Sequence, residues 1–200
     1  MSKGGIKSYK RNTSNKRIQN NVILIICCGD TEVEYFNEFK LDLGEIKLLP
    51  IKKHCSPKKM VDIAIKENEK KAYRQIWCVF DKDNYLDFDE AISLANNNSI
   101  EVAYSNQAFE LWFIMHFERI IGPLNRKKYK EYINKYVKRT EPYDKPYKGI
   151  YRKIYDKTNK AIENARIGHQ IHIKDGGNPS DWESCTTVYK LVSELNKWKR

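Results

Sequence analysis

The sequence predicts an α/β protein: a parallel sheet of about four strands flanked by helices, with a mainly helical, basic extension at its C-terminal end. Three observations carry that prediction. Four short strand-like runs, residues 22–27, 46–51, 76–80 and 100–104, alternate with stretches whose apolar residues recur at helical spacing. The runs at 22–27 and 76–80 are apolar throughout, as in strands covered on both faces. Past Gly122-Pro123 the strand pattern stops, and Lys, Arg and Tyr take over.

The first run breaks at Cys28-Gly29-Asp30. Thr31 is placed to N-cap a helix, with Glu34 three residues on completing a capping box and Tyr35, Phe36 and Phe39 marking the inner face. After the second strand, Ser56-Pro57 opens a helix with proline in its first turn, and Met60, Ile63 and Ala64 form its apolar stripe. The third strand is followed by a helix over 87–97, with Phe88, Ile92 and Ala95 at helical spacing, ended by Asn96-Asn97-Asn98-Ser99. The fourth leads through Ser105-Asn106 into an apolar helix from about residue 108 to 117. Such alternation predicts parallel strands joined by right-handed crossovers. In the extension, helices are expected on either side of a looser connection over 142–149. A last helix from about Thr186 carries Val188, Leu191, Val192 and Leu195 on its packed face.

The length fits one domain in three parts: a flexible basic arm over 1–20, an α/β core over 21–121 and a helical basic extension over 122–200 that packs back on the core. No apolar run approaches the roughly 18 residues that cross a bilayer, and the start lacks a hydrophobic signal core, so a soluble cytoplasmic protein without membrane partners is expected. Five scattered cysteines without a C-x-x-C pair argue for reduced thiols, and His54-Cys55 or His169 and His172 are only fragments of a zinc site. The net charge of +11 points to nucleic acid as a partner. Residues 123–160 hold thirteen basic and four acidic residues, most of that excess. Tyr129, Tyr132, Tyr136, Tyr143, Tyr147, Tyr151 and Tyr155 are interleaved with it, a pattern that suits either the inner face of helices or stacking on unpaired bases.

In open parallel sheets, ligands bind at the carboxyl ends of the strands. Asp81-Lys82-Asp83 stands at the end of the third run, where two carboxylates can converge on a hard cation such as Mg²⁺ or Mn²⁺. The end of the first run delivers Cys28, Gly29 and Glu32, and the fourth delivers Ser105, Asn106 and, one turn on, Glu110. Phosphodiester cleavage needs such a set: carboxylates to hold a metal, and a further acid or base to move protons. The candidate catalytic residues are Glu32, Asp81, Asp83 and Glu110, with Asp81 and Asp83 as metal ligands. Cys28, Gly29, Lys82, Ser105 and Asn106 are candidate accessories. Each has a plainer reading, Glu32 as a first-turn acid favoured by the helix dipole and Asn106 as a cap.

The C-x-G-x-T-E-x-x-Y-F segment from Cys27 to Phe36, Asp81-Lys82-Asp83, the stretch Ser105-Asn106-Gln107-Ala108-Phe109-Glu110-Leu111-Trp112, and Asn178-Pro179-Ser180 ahead of Thr187-Val188-Tyr189-Lys190-Leu191-Val192 together resemble the RloB-like proteins. The resemblance spans about residues 22–196. It implies a Toprim-type domain, a small parallel α/β module with a glutamate after its first strand and a D-x-D after its third. It also implies Mg²⁺ (or Mn²⁺) at the D-x-D, phosphodiester chemistry on RNA or DNA, tRNA included, and a role in bacterial antiphage defence through abortive infection. A regulatory ATPase partner is implied as well. The family motif usually reads C-E-G, whereas this chain reads Cys27-Cys28-Gly29. Three explanations stay open: Glu32 supplies the carboxylate, Glu110 supplies it, or the site is degenerate and the chain a non-catalytic nucleic-acid-binding or regulatory subunit.

Overall fold

Four parallel strands, β1 (Arg17–Cys27), β2 (Lys47–Lys52), β3 (Lys71–Asp81) and β4 (Glu101–Ser105), form one sheet in the order β2-β1-β3-β4. The computed structural model describes residues 17–137, 143–146 and 148–200; the expected arm up to residue 16, Pro142 and Tyr147 lie outside the described residues. β1 and β3 run longer than their apolar runs. Arg17 to Gln19 pair with Lys71 to Tyr73, and the register shifts between Gln19 and Ile23. The added part of β3 is only partly buried, so no apolar signal marks it. Residues 17–20 thus belong to the sheet and not to the expected arm.

Alternation along the buried strands feeds two layers. Ile23, Ile25, Cys27, Trp77 and Val79 face α1 (Asp30–Phe39) and the extension, while Leu24, Ile26, Ile76, Cys78 and Phe80 face α2 (Pro57–Lys70) and α3 (Phe88–Asn97). The predicted starts of α2, with Ser56 as N-cap and Pro57 in its first turn, and of α3 at Asp87 are both seen. α1 differs: it opens at Asp30 with Gly29 as N-cap and no capping side chain, so Thr31 lies inside the first turn.

The expected apolar helix after β4 is α4 (Glu110–Met115), and all six of its residues are buried. It is wrapped by α5 (Tyr129–Tyr136), α6 (Ile150–Ile154), α7 (Thr158–Asp175) and α8 (Val188–Asn196). Leu124, Tyr129, Ile133, Tyr151, Ala165 and Leu191 join the same core as Phe36 and Trp77. α7 is the longest helix among the described residues, yet its buried residues are Thr158, Ala161, Ala165, Gly168 and His169, none of them a large aliphatic. Small residues permit close packing but leave little hydrophobic periodicity to read.

Both sheet edges are protected. β2 carries Pro50 between Lys47 and Lys52, which suits an edge strand. Along β4, the Thr187 amide donates to the Tyr104 carbonyl and the Tyr104 amide to Thr187 Oγ1, while Ser105 bridges to Thr186. No described helix is long and apolar enough to cross a membrane. All five cysteines are free thiols.

Candidate active site

The strand order places a topological switch point between β1 and β3: the chain leaves β1 toward one edge of the sheet and β3 toward the other. A crevice opens at the carboxyl ends of such strands. Here it is a cleft of about 380 Å³, lined by an acidic set, Glu32, Asp81, Asp83 and Glu110, with Cys28 and Gly29, and by a basic pair, Arg126 and Lys145.

Glu32 reaches the cleft because α1 begins so soon after β1. Its carboxylate folds back over the helix start and lies against Gly29, where a Cβ would sit 2.6 Å from Glu32 Oε2. The backbone at 29 is extended (φ −130°) and open to any residue, so glycine serves here to leave the Glu32 carboxylate in place, which a Cβ would displace. The Cys28 thiol donates to Glu32 Oε1 at 3.3 Å. One ligand atom each from Cys28, Glu32 and Asp81 lie within 4.8 Å of one another, the one such group among the described residues.

Asp81 is the last residue of β3 and is partly buried. Asp83 lines the same cleft but takes a different role. The strand ends at Asp81, and Asp83 adopts a left-handed backbone (φ 40°), so the alternation that would aim residues 81 and 83 alike is lost. Its carboxylate is ion-paired with Arg126. The carboxylate that meets Asp81 is that of Glu32.

Glu110, in the first turn of α4, is almost fully buried, accepts from Tyr143 Oη at 2.9 Å and pairs with Lys145 Nζ at 2.7 Å. Burial pushes the Asp81 carboxyl well up, and the charges of Glu32 and Glu110 push it further, against Lys145 and Arg126. The Glu32 carboxyl is raised mainly by burial, with Glu110 adding to it, while its own backbone amide, Cys28 and Lys145 oppose the rise. Burial, Glu32 and Asp81 also push the Cys28 thiol up, so at neutral pH it is a neutral hydrogen-bond donor. Two crowded carboxylates whose charge is held back by burial and mutual repulsion fit a small divalent cation, which relieves both effects. The neutral thiol adds no hard ligand.

Among the accessory candidates, Gly29 is in the cleft wall. Lys82 holds the β3–β4 seam through its backbone amide, donated to the Ser105 carbonyl. Ser105 and Asn106 are buried outside the cleft. Ser105 Oγ pairs with Thr186 Oγ1 at 2.9 Å and Asn106 Nδ2 donates to the Ser180 carbonyl, so both fasten the C-terminal segment. His116 is a buried neutral histidine against Trp112, with burial lowering its pKa to about 4.

Arg126, Tyr143 and Lys145 are the site residues that sequence reasoning did not single out. Arg126 and Lys145 are visible there only as part of a charge excess, and Tyr143 only as one of the tyrosines interleaved with it. Of the two uses open to the tyrosines, Tyr129, Tyr143 and Tyr151 take the inner-face one, being buried, while Tyr136 stacks on Phe117 at 4.8 Å. Burying each ring while its hydroxyl finds a partner is the more favourable use of a tyrosine.

A family model described as RloB-like protein matches residues 23–195. The chain belongs to the RloB-like family. The match runs from β1 into α8, so both walls of the cleft lie within the RloB-like region. No curated protein and no solved structure matches the chain.

Proposed function

We propose that this RloB-like chain is a metal-dependent nuclease of the Toprim type that hydrolyses phosphodiesters of RNA or DNA, as an effector in bacterial antiphage defence alongside an ATPase partner. The observation that carries this reading is the approach of Glu32 to Asp81 at the switch point, within 4.8 Å. It supplies a second carboxylate although Cys28 stands where the family motif has glutamate. Glu32 and Asp81 are the proposed ligands of Mg²⁺ or Mn²⁺, with Asp83 at the cleft mouth as an outer partner. When bound, the ion supplies Lewis acidity to a phosphate oxygen and acidity to a water. Arg126 and Lys145 face those carboxylates and are suited to orient a phosphate. Glu110, held by Tyr143 and Lys145, is the proposed proton-transfer group.

A non-catalytic nucleic-acid-binding role is the second reading, favoured by one observation: the neutral thiol of Cys28 fills space beside Glu32 that a ligand carboxylate would take. One experiment separates the two. Wild type, Asp81→Ala and Cys28→Glu are incubated with labelled tRNA, single-stranded DNA and duplex DNA in Mn²⁺, with an ATPase partner where one is encoded nearby. The nuclease reading expects cutting by wild type and a loss of about a hundredfold or more in Asp81→Ala. Cutting by Cys28→Glu alone establishes the second reading, and no cutting by any variant defeats the first.

A further inference from the structure

The extension forms a second, half-open cavity, of about 560 Å³, that shares Glu110, Arg126 and Lys145 with the carboxylate cleft. The character reverses between the two. The first cavity is dominated by Glu32, Asp81 and Asp83. In the second, Arg126, Lys127, Lys130 and Lys145 outnumber Glu110 and Asp144. Glu110 is already compensated by Lys145, Asp144 stands 3.7 Å from Lys130, and among the described residues Lys127 has no ion-pair partner.

We propose that this second cavity takes one unpaired nucleotide of a single-stranded nucleic acid, adjacent to the phosphodiester that a metal at Glu32 and Asp81 would engage. The inference rests on the nucleic-acid reading of the cleft and names its substrate class. The volume falls in the range of about 300–1,000 Å³ usual for small-molecule sites and admits a nucleotide but no duplex. Ala108, Tyr129 and Tyr143 line it as closely packed, buried residues that bound the space for a base without stacking on it, and the cations stand where the backbone continues. The basic wall is held in place. The Arg126 amide donates to Gln107 Oε1 at 3.0 Å, the Lys127 amide to Asn125 Oδ1 at 2.9 Å, and the Gln107 amide to Tyr129 Oη. That anchoring pins the turn carrying Arg126 and Lys127 to the segment between β4 and α4.

The test uses the full chain in EDTA, so that metal-dependent cutting does not enter. Fluorescence anisotropy is measured with short labelled single strands of RNA and of DNA, with the same strands carrying an abasic position, and with a blunt duplex. The Lys127→Ala/Lys130→Ala variant is compared with Lys59→Ala/Lys66→Ala, an equal charge change on α2 at the opposite face of the sheet. The proposal expects about a tenfold loss of single-strand affinity in the first pair. It also expects a salt slope lower by about two, weaker binding of abasic strands, and little effect of the α2 pair. Equal losses in both pairs, or equal binding of abasic and intact strands, overturn it. RNA and DNA that bind alike assign the site to base and phosphate, and a preference for RNA assigns part of it to the 2′-hydroxyl. Failure of Mn²⁺-dependent cutting together with the expected binding result removes the nuclease reading and leaves this site standing. Cutting with no effect of the first pair removes this site alone.

Discussion

The two walls of the cleft are built by different means. The acidic wall comes from regular elements: Asp81 ends a buried strand, and Glu32 and Glu110 sit in the first turns of α1 and α4. The basic wall comes from connecting segments, with Arg126 ahead of α5 and Lys145 beyond it, each held by a few individual hydrogen bonds and ion pairs. A strand end is located by the register of the whole sheet, so the acidic groups are crowded in spite of their repulsion. A loop cation is located by the acids it meets. Hence Asp83 and Glu110 serve as counter-charges for the wall opposite, while Glu32 and Asp81 have no ion-pair partner among the described residues.

Perturbing each wall separately tests that contrast. The largest effect is expected from Gly29→Ala, whose new Cβ would collide with Glu32 Oε2 and swing the carboxylate away from Asp81. Mn²⁺ affinity, read by electron paramagnetic resonance, and cutting both fall by about a hundredfold, as for a misplacement near 1 Å, while circular dichroism is unchanged. Lys145→Ala, on the basic wall, lowers single-strand affinity by about tenfold and raises the Asp81 and Glu32 pKa values further, because it removes a charge that opposes their rise. Retained affinity there would mean that the two walls do not divide their labour as described.

Stability gives the third test. A carboxyl raised in the folded state contributes stability that is complete below its unfolded pKa, near 4, and that is lost as pH rises through its folded value. The Glu32 and Asp81 carboxyls therefore lower Tm of the metal-free protein from about pH 5 to about pH 8, while His116 and His169, whose pKa values burial lowers to about 4, act in the opposite sense over the same range. Asp81→Asn should flatten that dependence and raise Tm at neutral pH by about 2–4 °C, on the scale of 1 kcal/mol for a chain of this size. Scanning calorimetry with and without Mn²⁺ reads both effects, and an unchanged slope in Asp81→Asn would show that the crowding at Asp81 is slight. The smallest effect belongs to Tyr143→Phe, which removes one hydrogen bond to Glu110 and should cost about 1 kcal/mol in urea denaturation.

Much of the acidic wall was legible in the sequence, because strand ends are. The apolar run before Asp81 and the turn after Cys27 place their neighbours at the carboxyl edge whatever the side chains do. What the motif could not convey was the pairing within it. Asp83 lies two residues from Asp81, yet a left-handed turn separates their roles, and such a conformation at an aspartate leaves no sequence mark. Glu32 was visible as a first-turn acid, but its reach over Gly29 depends on α1 opening one residue before Thr31. The basic wall was legible only in bulk. Nothing in the spacing of Lys and Tyr distinguishes Tyr143 and Lys145, which contact Glu110, from Tyr155, which stands in solvent.

The strip of chain along the outer edge of β4 has a practical consequence for anyone dividing this protein. Thr186 and Thr187 satisfy the backbone that β4 would otherwise present to solvent, and the Asn106 amide is donated to the Cys185 carbonyl. A fragment ending near residue 121 would keep all four strands and lose their selvedge: an unhemmed sheet, free to stitch itself to the next molecule. Expression trials of the α/β half alone should yield inclusion bodies, and the chain is best handled from β1 through α8.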